Sequence, residues 1–200
     1  MPAHNEQYGK GYFLIANPVL PDPNFSRTVV LLCNHDDQGS FGLVINRPAP
    51  ISAKEVFAEM GMSDSPSGKI FIGGPVSPTQ VFYLCRSKTP LPELEAICDG
   101  VYMGLSWELL DNLMMRVEDP EKNIRFYMGY SGWGAGQLAD EMTRLSWLTC
   151  EAQSKFVFQE NEEGIWANTV KSMGKDYEYL IKAPVNPQWN RSEERRVGKE

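Results

Sequence analysis

The tightest constraint on this chain is a pair of apolar segments folded back around a dense run of turn formers. Thr28 to Cys33 (TVVLLC) is short, continuous and rich in valine and leucine, the pattern of a strand covered on both faces. Asn34-His35-Asp36-Asp37-Gln38-Gly39-Ser40 follows, and then Phe41, Leu43 and Ile45 alternate with Gly42, Val44 and Asn46. Two strands about such a loop predict a β-hairpin, hence antiparallel pairing at this point of the sheet.

The rest of the chain continues in short strands and helices. Gly11 to Ala16 reads as a first strand; it has no basic leader or small-residue cleavage site, and Asn17-Pro18 interrupts it, so it is not a secretory signal. Ser52-Ala53-Lys54-Glu55 fits a capping box ahead of the apolar stripe Val56, Phe57 and Met60, with Gly61 as the stop. Lys69 to Ile72 is a strand halted by Gly73-Gly74-Pro75, and Val81 to Cys85 is another. Asp99-Gly100 between Ile97-Cys98 and Val101-Tyr102 is a two-residue hairpin signal. Ser106 is placed to cap a helix carrying Trp107, Leu110 and Met114. Ile124, Phe126, Met128 and Tyr130 alternate as a strand; Leu138, Met142, Leu145 and Leu148 predict a helix; Phe156-Val157-Phe158 predicts a short strand, and Trp166, Val170 and Met173 a last helix. Hairpins without a regular βαβ beat predict an α+β domain with a mixed, mainly antiparallel sheet.

At 200 residues, 42% hydrophobic and 22% charged, the chain fits one ordinary globular domain. Residues 1–10 and the charged stretch 191–200 are expected to be disordered flanks of a domain spanning 11–190, and the final stretch reads equally as native or as a read-through appendage. The formal charge of -7 disfavours broad contact with DNA or anionic lipid. No apolar run approaches the ~18 residues of a membrane span. The four cysteines, Cys33, Cys85, Cys98 and Cys150, lack C-x-x-C spacing and read as free, buried thiols suited to a reducing cytoplasm.

Several groups bear on chemistry. Gly129-Tyr130-Ser131-Gly132-Trp133-Gly134-Ala135-Gly136-Gln137-Leu138 leaves a strand and enters a helix, either as an anion-holding turn or as a packed corner plugged by Trp133. It lacks phosphate-loop spacing, which favours the corner. Ser131 begins half a nucleophile elbow, but Trp133 stands where glycine is required and no histidine follows. The histidines are His4 and His35; Cys33 and His35 share a face if the strand continues through them, yet no further ligand spacing supports a metal. In Asn46-Arg47-Pro48 the proline restricts Arg47 to extended backbone, which suits either an anion site or a bridge to a carboxylate such as Asp22. No cofactor loop is present.

In this order, Gly39 to Pro48, Gly73-Gly74-Pro75-Val76, and Gly129 to Trp133 with Gly136-Gln137-Leu138 resemble the signature blocks of the bacterial YqgE/AlgH family. Leu14 to Pro18, Asp22 to Arg27 and Leu145-Ser146-Trp147 extend the resemblance over Gly11 to Ile181; Ser131 replaces the family's usual alanine, and 191–200 has no counterpart. The resemblance implies a cytoplasmic bacterial protein whose sheet closes into a barrel-like core with flanking helices, and it implies no activity. Asn46, Arg47, Gly73, Gly74, Gly129, Tyr130, Gly132, Trp133, Gly136 and Gln137 are the candidate ligand-binding or structural residues, with no catalytic or metal-binding residue assigned. The leading reading is a non-enzymatic binding or regulatory protein with a protein or small-ligand partner. An enzyme or sensor of a small anionic metabolite, using Arg47 and the Gly129–Gln137 corner, is the alternative. A member's name, tied to control of exopolysaccharide synthesis, adds transcriptional regulation, although no helix-turn-helix is visible and direct DNA binding is not expected.

Overall fold

The computed structural model describes residues 7–18, 20, 22, 24–59, 61 and 69–183. Its strands are β1 (Tyr12–Ala16), β2 (Val29–Asp36), β3 (Gly39–Val44), β4 (Ile70–Ile72), β5 (Val76–Arg86), β6 (Glu95–Cys98), β7 (Val101–Gly104), β8 (Ile124–Gly134) and β9 (Trp147–Glu151). They form one sheet in the order β6-β7-β5-β8-β3-β2-β1-β9, with β4 also on β8. Every pairing is antiparallel except β4 with β8. The helices are α1 (Ala53–Glu59), α2 (Trp107–Arg116), α3 (Pro120–Asn123), α4 (Gln137–Thr143), α5 (Ser154–Val157) and α6 (Ile165–Ser172).

The sheet, mainly antiparallel as the hairpins predict, curls into a half-barrel with helices at its flanks, in line with the barrel-like core that the family resemblance implies. Curvature comes from irregularities in register: between Leu32 and Asn34 on β2, and between Val76 and Val81 on β5, opposite Gly129 at φ +65°. The start of β1 meets edge strand β6, because Lys10 bridges to Glu95 at 2.6 Å and a Cβ on Gly11 would stand 2.7 Å from the Ile97 carbonyl. Lys10 and Tyr8, whose ring lies tilted against that of His35, thus make defined contacts, although both fall in the stretch expected to be disordered. His4 and residues 191–200 lie outside the described residues.

Both faces of the central strands are covered, which explains the unbroken apolar run in β2. Leu31 and Cys33 enter the interior core with Phe13, Leu148 and Trp166, while Val30 and Leu32 enter the outer core with Trp133, Leu138 and Trp147. A third cluster, around Phe57, Tyr83, Leu110 and Phe126, lies under α1 and α2.

Two expectations fail for the same reason. Leu145 and Leu148 do not extend a helix: α4 stops at Thr143, Leu145 sits exposed at φ +57°, and Leu148 belongs to β9, paired with Ile15. β9 is buried on both faces at Trp147 to Thr149, so it shows no period of two, and its leucine fell into helical spacing by chance. Phe156-Val157-Phe158 is likewise not a strand; α5 is a single turn that buries Phe156 and Val157 in the interior core.

The capping box forms, with Ser52 N–H donating to Glu55 Oε2 at 2.9 Å and Glu55 N–H to Ser52 Oγ at 3.2 Å. Gly61 turns at φ +81° as expected, and Met60 is not described. Ser106 occupies the N-cap of α2 without a side-chain capping bond.

Candidate functional site

The three glycine-bearing blocks meet, and they meet as backbone. Gly73 N–H donates to Met128 O and Gly73 O accepts from Val44 N–H, each at 2.8 Å. A Cβ on Gly73 would lie 2.4 Å from Gly129 O, one on Gly74 2.2 Å from the Tyr130 carbonyl, and one on Gly129 2.6 Å from Gly74 O. Glycine is required here because two chains cross without room for a methyl group.

Asn46 is built into the same crossing. Its Oδ1 accepts from Val29 N–H and its Nδ2 donates to Arg27 O, both at 2.9 Å, which satisfies the backbone where Arg27 turns at φ +51°. Arg47 shares the frame through its carbonyl, which accepts from Ile72 N–H at 2.8 Å. Its guanidinium donates to Asn24 O at 2.5 Å. Of the two readings left open for Arg47, the bridge to Asp22 is absent: an Asp22 carboxylate oxygen accepts from Asn24 N–H at 2.8 Å, and neither group of the pair appears in an ion pair among the described residues.

The Gly129–Gly136 stretch is not a strand-to-helix loop. β8 runs on through Gly134 and pairs Ser131 to Gly134 with Gly42 to Gly39, leaving Ala135 and Gly136 as the turn. Gly136 at φ +75° then starts the seven-residue α4. Trp133, 6% exposed, packs beside Phe25 and Trp147 as a core plug. Its indole N–H donates to Glu141 Oε2 at 3.0 Å, and that of Trp147 donates to the same oxygen at 2.7 Å. Gln137 ties the clasp together, donating to Glu141 Oε1 and accepting from Gly134 N–H, both at 3.1 Å. Glu141 escaped the sequence reading because a carboxylate on a short helix reads as a solvated face; its place four residues after Gln137 was the available signal. Ser131, 1% exposed, donates to Gly73 O at 3.1 Å and is sealed in the crossing.

Cys33 and His35 face apart, because the bulge between Leu32 and Asn34 breaks the alternation. Cys33 is in the interior core, where burial pushes its thiol pKa up, while the His35 ring meets Tyr8 and, through Nδ1, Ser40 Oγ at 2.7 Å. The nearby Asp36 carboxyl is held below the usual range, chiefly by the Asn34 side chain and then by Gln38 N–H. Among the described residues no group of three or more His, Cys, Asp or Glu converges as metal ligands.

Tyr130, Gly132 and Trp133 do open onto a cleft, of about 520 Å³, at the rim of the half-barrel. Its other walls are the β2–β3 hairpin tip, with Asn34, Asp36 and Gln38, and Val76 of β5. Phe41 and Tyr130 form an aromatic floor, with ring centres 5.0 Å apart. Gly132 carries no side chain at the cleft's wall, where a Cβ would face the Tyr130 ring and Val76, whereas a Cβ on Gly39 would meet the Trp133 carbonyl of the paired strand. Arg47, Gly73, Gly74 and Gln137 do not line it.

Comparison with known proteins agrees with this frame. The chain is 37% identical over 182 residues to a UPF0301 protein of Cytophaga hutchinsonii, covering 90% of this chain and 98% of that one. A UPF0301 protein of Magnetococcus marinus is 38% identical over 175 residues, covering 86% and 93%. The solution structure of the AlgH protein from Pseudomonas aeruginosa superposes with a TM-score of 0.69 at 32% identity, covering 92% of this chain and 98% of that one. A Corynebacterium diphtheriae protein, DIP2367, shares the fold at a TM-score of 0.70 and 19% identity, covering 87% and 92%. The profile of a family described as AlgH-like matches residues 13–178, which span the crossing, the indole clasp and the rim cleft, and the chain belongs to that family.

Proposed function

We propose that this protein acts by binding, and that it engages its partner at the rim cleft. The observation that supports this reading is the cleft's wall: strand position Gly132 lacks a side chain just where the Phe41 and Tyr130 rings form a floor. Glycine inside strands weakens them, and close approach of another group is a use that repays the loss. Among the described lining residues Asp36 alone is ionised, so the cleft favours a neutral or cationic group with a flat apolar part. An aromatic or arginine side chain presented by a protein, or a small molecule of that chemistry, meets both conditions. Arg47 stands outside the cleft and is bonded to a carbonyl, so it does not support the reading as a sensor of a small anion. Direct contact with DNA is not part of the proposal, given the charge of -7. Four unpaired thiols fit a cytoplasmic setting, to which we extend it.

The test is a thermal-shift screen with tryptamine, N-acetylargininamide and short peptides containing Trp and Arg, run on the wild type and Gly132→Val. A valine there points its Cβ at Val76 and at the Tyr130 ring, 3.1 Å away, a flexible neighbour that can yield a few tenths of an ångström. The variant should fold and lose the ligand-induced rise in Tm. An equal rise in both proteins would place the site elsewhere.

A further inference from the structure

At the opposite end of β8 the electrostatics reverse. Arg125 is 7% exposed, with its guanidinium carbon 5.1 Å from the ring centre of Phe71 and 5.8 Å from that of Phe158. Arg86 covers the same Phe158 ring at 5.1 Å, so one phenyl carries two guanidinium groups. Lys69 joins them through Glu162, to which it is ion-paired. Burial works against the ionised form of Glu162, yet bonding and attraction from Lys69, with Arg125 behind it, hold its carboxyl below the ordinary range. Among the described residues neither Arg86 nor Arg125 has an ion pair. Three cations therefore gather here, while the nearby carboxylate of Glu162 is paired with Lys69 alone, in a protein that is acidic as a whole.

The neutral partners do not complete this cluster. Arg86 Nε donates to Asn123 Oδ1 and Arg125 Nη2 to Gln159 O, each at 2.6 Å. Among the described residues Arg125 Nη1 and Tyr127 Oη are buried and meet no third group as a hydrogen-bond partner; the Arg125 guanidinium lies against the Tyr127 hydroxyl, and each keeps a donor hydrogen unused. The two side chains lie two residues apart on β8, hence on one face, and both pack on Phe71. Burial raises the Tyr127 pKa, so its hydroxyl keeps its proton and can donate. A buried guanidinium with an idle N–H is costly, and native folds retain such a group where something fills the position.

We propose that Arg125 Nη1 and Tyr127 Oη hold a small oxyanion, a phosphate or carboxylate group, with Arg86 and the exposed Lys69 supplying the positive field through which it enters. Guanidinium geometry suits both anion shapes. The site is separate from the rim cleft, and neither depends on the other.

Sodium phosphate and sodium formate, each titrated into the full chain at ionic strength matched with sodium chloride, test this. At about a hundredfold excess over Kd, one or both should raise Tm saturably by roughly 5–10 °C and move the Arg125 Nε–Hε resonance. The anion that saturates identifies the shape preferred. Tyr127→Phe removes only the hydroxyl, and should weaken binding about tenfold as a charge-assisted bond is lost; Lys69→Gln, on the surface, should weaken it less. Arg125→Met should abolish it, and the other two variants decide the matter if that one does not fold. No response beyond sodium chloride, as a buried water in the position would give, overturns the proposal. So does a response equal in wild type, Tyr127→Phe and Lys69→Gln, which would mark an adventitious ion only.

Discussion

A single methyl group separates the glycines that build the crossing from one that does not. At Gly74 a Cβ would meet the Tyr130 backbone at 2.2 Å, and backbone cannot rotate away. Gly74→Ala should therefore destabilise by about 3 kcal/mol or more, the upper range for forcing atoms into a packed site. Gly134 has no positive φ, and the nearest atom to its Cβ is Gln137 Oε1 at 4.0 Å, so Gly134→Ala should stabilise by about 0.4–1 kcal/mol through the unfolded chain. Urea denaturation of the pair measures both; equal effects would show that the crossing is looser than it looks. The sequence made the glycine blocks visible but not their division of labour, because close approach is a property of the second chain. Asn46 and Arg47 were legible as placed residues for the same reason that their partners, Arg27, Val29 and Asn24, were not: those contacts are made about 20 positions away in sequence.

Elements declare themselves locally when their signals are local. The Ser52/Glu55 box closes on itself within three residues and was readable, whereas Ser106 had the right residue and extended backbone but makes no capping bond. Ser52→Ala should lower stability by about 1 kcal/mol and Ser106→Ala by a few tenths at most, as read from thermal midpoints. A larger loss at Ser106 would contradict the capping geometry. β9 was missed because a strand covered on both faces has no alternation, and its partner β1 lies more than a hundred residues earlier. The division of β8 was missed for a related reason: Ser131 to Gly134 read as loop from composition, while the β3 ladder makes them strand.

For the whole molecule, the antiparallel character followed from the hairpins, while the curl depends on bulges, and the approach of β1 to β6, marked by the exposed Lys10–Glu95 pair, is encoded by no local pattern. Burial also sets how the fold responds to alkali. It pushes the thiols of Cys85, Cys98 and Cys150 up to about 11 and the Tyr83 phenol up to about 12, with Cys33 moved the same way. Raised folded-state values favour the protonated fold, so this stability is complete below the ordinary thiol pKa of about 8.5 and is lost as pH rises through the folded values. The urea midpoint should hold to about pH 8 and fall between about pH 9 and 11; a flat profile to pH 11 would mean solvated thiols. We read the glycine crossing as architecture and propose the rim cleft as the place where a partner binds. A ¹⁵N-edited NMR titration with the best probe from the thermal screen tests it most directly. Saturable shifts are expected at the amides of Gly39, Phe41, Tyr130 and Gly132, with Arg47, Gly73 and Gly74 unmoved; shifts centred on Arg47, Gly73 and Gly74 would put the binding site at the crossing instead.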